Sequence, residues 1–265
     1  MITKMAAGRN RLTLLLQRLC TATRFLTLLP ISWRAEEDTH HFTRSLAFFP
    51  VVGIMIGAAG SLATFVLLYF FPQPVVIILM LIYLAFISGC LHLDGLSDSA
   101  DGLLSSRPRE ESLIIMKDSR AGAMGVVTVV CLFLAKYGSL SAMDSKTLCL
   151  AVFFMPFAGR CAILLSMARV RYARKEGGLG LLFYSEHSKN AAFWAVSSLV
   201  CFLVVLAPGH AIPVIAGILM VNFLFNRWCR ARLGGATGDT LGAVCELSEM
   251  VVAIAFTATF SFLLS

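Results

Sequence analysis

The stretch Leu91-His92-Leu93-Asp94-Gly95-Leu96-Ser97-Asp98-Ser99-Ala100-Asp101-Gly102 sets three carboxylates at the mouth of a long apolar segment. Asp94 and Asp98 are four residues apart, and Asp98 and Asp101 three apart. On a helix those spacings put all three on one face. Three clustered anions repel one another, and nearby lipid makes the repulsion worse. A bound cation relieves it. Oxygen ligands with no Cys and one His match Mg²⁺ or a similar hard ion. On a helix Asp94 and Asp101 stand about 10 Å apart along the axis. That is too far to share one ion, and it suits two ions about 4 Å apart with Asp98 between them. His92, beside the triplet, has several open readings: a ligand, a general base, or a hydrogen-bonding residue at a helix end. Asp-Gly pairs also form turns, but a solvated turn has no need of Asp98 on the shared face.

Other polar stretches accompany this one. Ile115-Met116-Lys117-Asp118-Ser119-Arg120-Ala121-Gly122 flanks an acid with two cations. Lys117 supplies a point charge and Arg120 a bidentate fork, a pairing suited to a phosphate-bearing substrate. It also reads as an interfacial anchor before the next span. Arg169-Val170-Arg171-Tyr172-Ala173-Arg174-Lys175-Glu176-Gly177-Gly178-Leu179-Gly180 sets cations beside a glycine-rich turn. There the backbone can approach a phosphate closely. Leu233-Gly234-Gly235-Ala236-Thr237-Gly238-Asp239-Thr240-Leu241-Gly242 reads as a ligand-contacting hinge or as a helix-terminating loop. Glu246 and Glu249 follow it at the start of an apolar span, where acids need partners. Lys136 and Arg160 lie in or beside spans and read as interhelical partners or snorkelling side chains.

The elements that position these residues are membrane helices. Of 265 residues, 58% are hydrophobic and 14% charged, against about 25% charged in soluble domains. Mean hydropathy is +0.82. The expected fold is all-α: a polytopic membrane bundle of about seven transmembrane helices, preceded by an interfacial amphipathic helix over 9–29. The expected spans are 46–71, 74–93, 122–140, 147–168, 191–208, 211–229 and 246–264, within one integral membrane domain over 1–265. Pro50 predicts a kink in the first span, and Pro208-Gly209-His210 predicts a turn. In 9–29, Arg11, Arg18 and Arg24 interrupt the leucines. Those arginines, without a small-residue cleavage site, argue against a signal peptide.

Basic residues recur in alternate loops, while the loops near 72–73, 141–146 and 208–210 carry only Lys146. The positive-inside rule makes the basic loops cytoplasmic, with the N-terminus inside and the C-terminus outside. The net charge of +7 then follows from topology and anionic lipid, with no nucleic acid partner. The eight cysteines form no Cys-x-x-Cys pair and read as small buried hydrophobes. Oligomeric state stays open, a homo-oligomer included.

Taken together, the run 92–102 resembles the signature of the adenosylcobinamide-GDP ribazoletransferase (cobalamin synthase) family. So do Met116-Lys117-Asp118-Ser119-Arg120, Arg171-Tyr172-Ala173-Arg174 with Glu176 and Gly177, and the block 234–243. The blocks span about 92–246 and fall in the family's order. Departures are the extra glycine within 177–180, and Ser97 and Ser99 where the family often has Ala and Thr. The resemblance implies an Mg²⁺-dependent enzyme of the bacterial inner membrane. It joins adenosylcobinamide-GDP to α-ribazole or α-ribazole 5′-phosphate, the last step of coenzyme B12 assembly, and GMP leaves. It further implies metal ligation by Asp94, Asp98 and Asp101, and substrate phosphate contacts by Lys117, Arg120, Arg171 and Arg174. Asp239 becomes an extra ligand or nucleotide contact, and His92 or Asp118 the acceptor of the ribazole hydroxyl proton. Two alternatives are a phosphotransferase of the CDP-alcohol type and a cation-coupled transporter. The first expects Ala-Arg where Asp98-Ser99 stands, and the second expects carboxylates near the bilayer midplane.

Overall fold

The computed structural model describes residues 11–33, 36, 38–174 and 187–258. These residues form α1 (Arg11–Leu26), α2 (Asp38–Ser45), α3 (Phe49–Leu67), α4 (Gln73–Ile87), α5 (Leu91–Leu104) and α6 (Arg109–Ile115). They continue as α7 (Ala123–Ser141), α8 (Ser145–Arg169), α9 (His187–Leu206), α10 (Pro208–Leu233) and α11 (Gly238–Thr257). No strand occurs among the described residues, only an isolated parallel bridge between Tyr172 and Ala236. Six helical stretches are long and apolar enough to cross a membrane, and the bent pair α4–α5 makes a seventh. The chain is thus an all-α, multi-pass membrane protein.

α8 runs through the centre, and the window that marks it as a span is 83% buried. α3 packs closely on it because Gly53 and Gly57 face its backbone. A Cβ at Gly57 would meet the Phe153 carbonyl at 2.1 Å, and one at Gly53 the Pro156 carbonyl at 2.8 Å. Small residues four apart are the usual means of close helix approach in lipid. α10 joins α8 through buried amides, the Asn222 Nδ2 donating to the Ala162 carbonyl (3.1 Å) and to Ser166 Oγ (2.9 Å).

Four features depart from the sequence expectation. Pro50 lies in the first turn of α3, just after a 3-10 turn (Leu46–Phe48) within the continuous span His41–Leu67, so the interruption of α-helical geometry precedes it. The expected division between the two spans before the last is present, but it falls at Ala207: Pro208 opens α10, with Gly209 and His210 already helical. The span expected over 74–93 stops at Ile87 and turns 85° into α5. Gly89 (φ 59°) and Cys90 (φ 57°) make that turn in the left-handed region, which costs a non-glycine residue about 1–2 kcal/mol. The last span starts at Gly238, eight residues before the expected 246, because a capping box fixes its first turn. The Thr237 N–H donates to Thr240 Oγ1 (2.8 Å), and the Thr240 N–H donates to Thr237 Oγ1 (3.2 Å).

That early start carries Glu246 and Glu249 two turns into the bundle, where they find the partners their burial demands. Lys136 Nζ donates to Glu246 (2.7 Å) and Glu249 (2.9 Å), and Arg160 donates to Glu249 (2.7 Å). All four side chains are 6% exposed or less. The reading of Lys136 and Arg160 as interhelical partners holds.

α1 buries a mixed face, Gln17, Thr21 and Thr23 with Ala22 and Leu26, while leaving Leu12, Leu15 and Leu16 exposed. Its buried side is tied to α2, with Thr21 Oγ1 donating to Asp38 (2.7 Å) and Arg24 Nε donating to the same carboxylate (2.7 Å). Leucines pointing away from the protein suit a helix lying on a membrane. Residues 9 and 10 of the expected stretch, and 259–264 of the last expected span, lie outside the described residues.

Candidate active site

The aspartates stand on α5, a helix rather than a loop. Gly95 and Gly242 let α5 and α11 cross almost backbone to backbone. A Cβ at Gly95 would meet the Asp239 carbonyl oxygen at 2.7 Å, and one at Gly242 would meet the His92 Cα at 3.2 Å. This crossing brings Asp94 to the N-terminus of α11 and to Asp239 in its first turn. Asp239 sits favourably there, against the positive end of the helix.

The strap after α8 completes the wall. The Ala173 N–H donates to the Ala236 carbonyl (2.8 Å), and the Ala236 N–H donates to the Arg171 carbonyl (2.8 Å). Arg174 then reaches Asp239, NH2 to Oδ2 at 2.9 Å. Arg109 fastens the assembly, with Nε donating to the Leu233 carbonyl (2.7 Å) and NH2 to the Ala173 carbonyl (2.8 Å). In the sequence Arg109 is one more cation of a basic stretch. Its fixing role depends on contacts 64 and 124 residues away, which no local pattern reveals.

These elements line a cleft of about 240 Å³ with two kinds of side chain. His92, Asp94, Arg174 and Asp239 are its polar and charged members. Phe25, Phe49, Leu91 and Ile163 are its apolar ones, and Tyr172 joins them. Phe25 and Phe49 stack with ring centres 5.9 Å apart and planes 19° apart. The apolar members were not legible in the sequence, because they come from four distant segments and each reads locally as ordinary core.

The carboxylates divide by environment. Asp94 is exposed and Asp98 half-buried. Neither has a hydrogen bond or ion pair to protein among the described residues. Asp98 lies within electrostatic reach of Asp94, Asp239 and Asp101, with Arg174 the opposing charge. Asp101 is engaged. Its Oδ2 accepts from the Gly122 N–H (2.8 Å) and its Oδ1 from the Gly125 N–H (2.9 Å), capping α7. Among the described residues, no three His, Cys, Asp or Glu side chains converge closely enough to hold one ion. The donors do fit Mg²⁺ in its usual manner, by one or two carboxylates with substrate phosphates and waters filling the shell. Asp94 and Asp98 would be that pair.

The remaining expected residues fall in different places. Among the described residues, imidazole Nε2 of His92 is buried without a hydrogen-bond partner. Lys117 and Arg120 are exposed and do not line the cleft; their turn abuts the Asp101 end of α5 through Gly122. Arg120 pairs with Asp118 (2.7 Å), its own side chain 88% exposed. The hydrogen bonds from Arg120 hold the Asp118 carboxyl down at about 2. Arg171 gives the strap its backbone carbonyl and leaves its side chain exposed. Lys175, Glu176 and Gly177–Gly180 lie outside the described residues.

Known proteins resemble the chain along nearly its whole length. The family model for cobalamin-5-phosphate synthase matches residues 18–257. A Clostridium acetobutylicum protein called adenosylcobinamide-GDP ribazoletransferase is 35% identical over 238 residues, covering 88% of this chain and 92% of the relative. Relatives of the same name from Acetivibrio thermocellus (35% over 246 residues) and Thermoanaerobacter sp. strain X514 (33% over 242) each cover 91% of this chain and 97% of their own length. No solved structure matches. The matched span takes in α5, the strap and the start of α11, the elements that build the cleft, and the chain belongs to the cobalamin-5-phosphate synthase family.

Proposed function

We propose that this chain performs the transfer for which its relatives are named, the final joining step of adenosylcobalamin assembly. Adenosylcobinamide-GDP is the donor, and α-ribazole or α-ribazole 5′-phosphate the acceptor. A ribazole hydroxyl oxygen bonds to the cobinamide-linked phosphorus of the pyrophosphate. The bond from that phosphorus to the bridging oxygen breaks, GMP departs, and the hydroxyl proton passes to a base. The product is adenosylcobalamin or its 5′-phosphate. The observation that carries this reading is the cleft, which gathers Asp94, Asp239 and Arg174 with a set of apolar and aromatic side chains.

Each kind of side chain suits one part of the chemistry. Asp94 and Asp98 would hold Mg²⁺, which supplies charge neutralisation to the pyrophosphate when bound. Arg174 offers a planar fork for phosphate oxygens. Its pairing with Asp239 holds that fork at the cleft until a phosphate competes for it. His92 is the proton acceptor within the cleft wall. Asp118, held at about 2 by Arg120 and lying outside the cleft, is a poor base. Phe25, Phe49, Leu91 and Ile163 give the flat base of the ribazole an apolar seat. Lys117 and Arg120, on the turn that abuts the Asp101 end of α5, serve a remote part of the large donor.

The end of the bundle that carries the cleft also carries Arg107, Arg109, Arg120, Arg169, Arg171, Arg174, Arg230 and Arg232. The positive-inside rule supports a cytoplasmic position for this end, in a bacterial inner membrane. Purified protein given adenosylcobinamide-GDP, α-ribazole and Mg²⁺ should release GMP, with cobalamin formed in equal amount. No GMP above the level without ribazole would refute the assignment.

A further inference from the structure

A second pocket, of about 300 Å³, lies between α1, the end of α2 and the start of α9, outside the cleft. Arg18, Thr43, Arg44, Ala47, Asn190 and Trp194 line it. Arg18 and Arg44 face the same space. Among the described residues neither makes an ion pair, and Arg18 Nε is buried without a hydrogen-bond partner. Asp38, the acid on the adjoining turn of α2, is already engaged by Arg24 and Thr21. Burial, and then the Arg44 charge, pull the Arg18 guanidinium below its usual range. Two like charges set together with an orphaned donor are unfavourable unless an anion bridges them.

We propose that this pocket binds the phosphate of an anionic phospholipid. The shared chemistry is a phosphate between two guanidinium forks. Its surroundings identify the source as lipid. Leu15 precedes Arg18 by three residues, on the same side of α1, and is 46% exposed; Leu12 is 61% exposed. Across the pocket, Trp194 and Phe193 are 68% and 66% exposed. A basic pocket rimmed by outward-facing leucines and a tryptophan matches the headgroup layer, where tryptophan concentrates. A soluble phosphate has no use for that apolar rim. The site also gives α1 a reason to lie flat: the bound lipid ties it to α9, next to the Phe25 wall of the cleft.

Native mass spectrometry of the full chain in detergent tests this, with phosphatidylglycerol, phosphatidylcholine and inorganic phosphate as separate titrants. Phosphatidylglycerol should bind at least about tenfold more tightly than phosphatidylcholine, and R18Q/R44Q should remove at least about tenfold of that affinity. R44E places a carboxylate opposite Arg18. It should melt higher than the parent protein in lipid-free detergent and gain nothing from added phosphatidylglycerol. Equal phosphatidylglycerol binding by the parent and R44Q overturns the site. Displacement of the lipid by micromolar inorganic phosphate reassigns the pocket to a soluble phosphate and overturns the lipid source. If R18Q/R44Q does not fold, R44Q and R44E carry the test, since Arg44 is an exposed residue. None of these readouts depends on the transfer reaction.

Discussion

α11 links two groups of charges that the protein treats in opposite ways. In the bundle interior, Glu246 and Glu249 are matched by Lys136 and Arg160 within 2.9 Å. Asp94, which lines the cleft, and Asp98, one turn further along α5, have no protein partner among the described residues, though Asp98 lies within reach of three other carboxylates. Burial makes an unpaired charge intolerable, so the chain supplies both signs where the charges only hold helices together. Where one sign is left unpaired at an accessible edge, a partner from outside the chain can supply the other. The difference separates architectural charges from working ones, although both kinds are ionisable residues in an apolar sequence.

The contrast can be broken at either end. Glu249→Gln strips Arg160 of its only ion-pair partner among the described residues and Lys136 of one of two. It should destabilise the fold by about 3–5 kcal/mol, read as a lower Tm or loss of folded protein in detergent. Asp94→Asn and Asp98→Asn should do the reverse to stability, leaving Tm unchanged or higher because repulsion is relieved. Each should lower kcat/KM at least about 100-fold, or about 2.7 kcal/mol of transition-state stabilisation. Near-normal turnover of both at saturating Mg²⁺ would place Asp94 and Asp98 among the architectural charges.

Smaller effects sharpen the boundary. Arg174→Lys keeps the charge and loses the fork, so kcat/KM should fall at least about tenfold, near 1.4 kcal/mol. Arg171→Lys, which changes an exposed side chain while keeping the strap's backbone bonds, should fall less. Equal losses at both positions would argue against the cleft as the phosphate site. Asp101→Asn weakens the cap of α7 and should cost about 1 kcal/mol of stability, visible as a modest fall in Tm. Asp118→Asn should be nearly silent between pH 5 and 8. Its folded pKa of about 2 is depressed, so any stability it contributes is present above the ordinary carboxyl range and is lost only as pH falls toward 2. An acid limb in the rate profile that disappears in Asp118→Asn would make that residue a proton carrier after all.

Much of this was legible in the chain. The helical face shared by Asp94, Asp98 and Asp101, the membrane character and the family resemblance all come from local spacing and composition. The need of Glu246 and Glu249 for partners was legible too, because lipid permits few alternatives. Asp101 was harder. Its spacing places it with the other two aspartates, and only the arrival of Gly122 and Gly125, 21 and 24 residues later, shows that its oxygens meet backbone donors. Lys117 and Arg120 look like clamps in sequence because they flank an acid. Folding turns that acid toward Arg120 and leaves the turn beyond the cleft.

The sequence by itself determined what each segment can tolerate: apolar helices in lipid, and partners for any acid set among them. Those are consequences of side-chain chemistry and of spacing within a few turns. Tertiary structure decided which groups meet. It bent the chain 85° at Gly89 and Cys90, laid α5 across the start of α11, and brought Phe25 and Phe49 to the cleft that Asp94 lines. Such meetings depend on packing between residues far apart in the chain, and local sequence does not encode that distance.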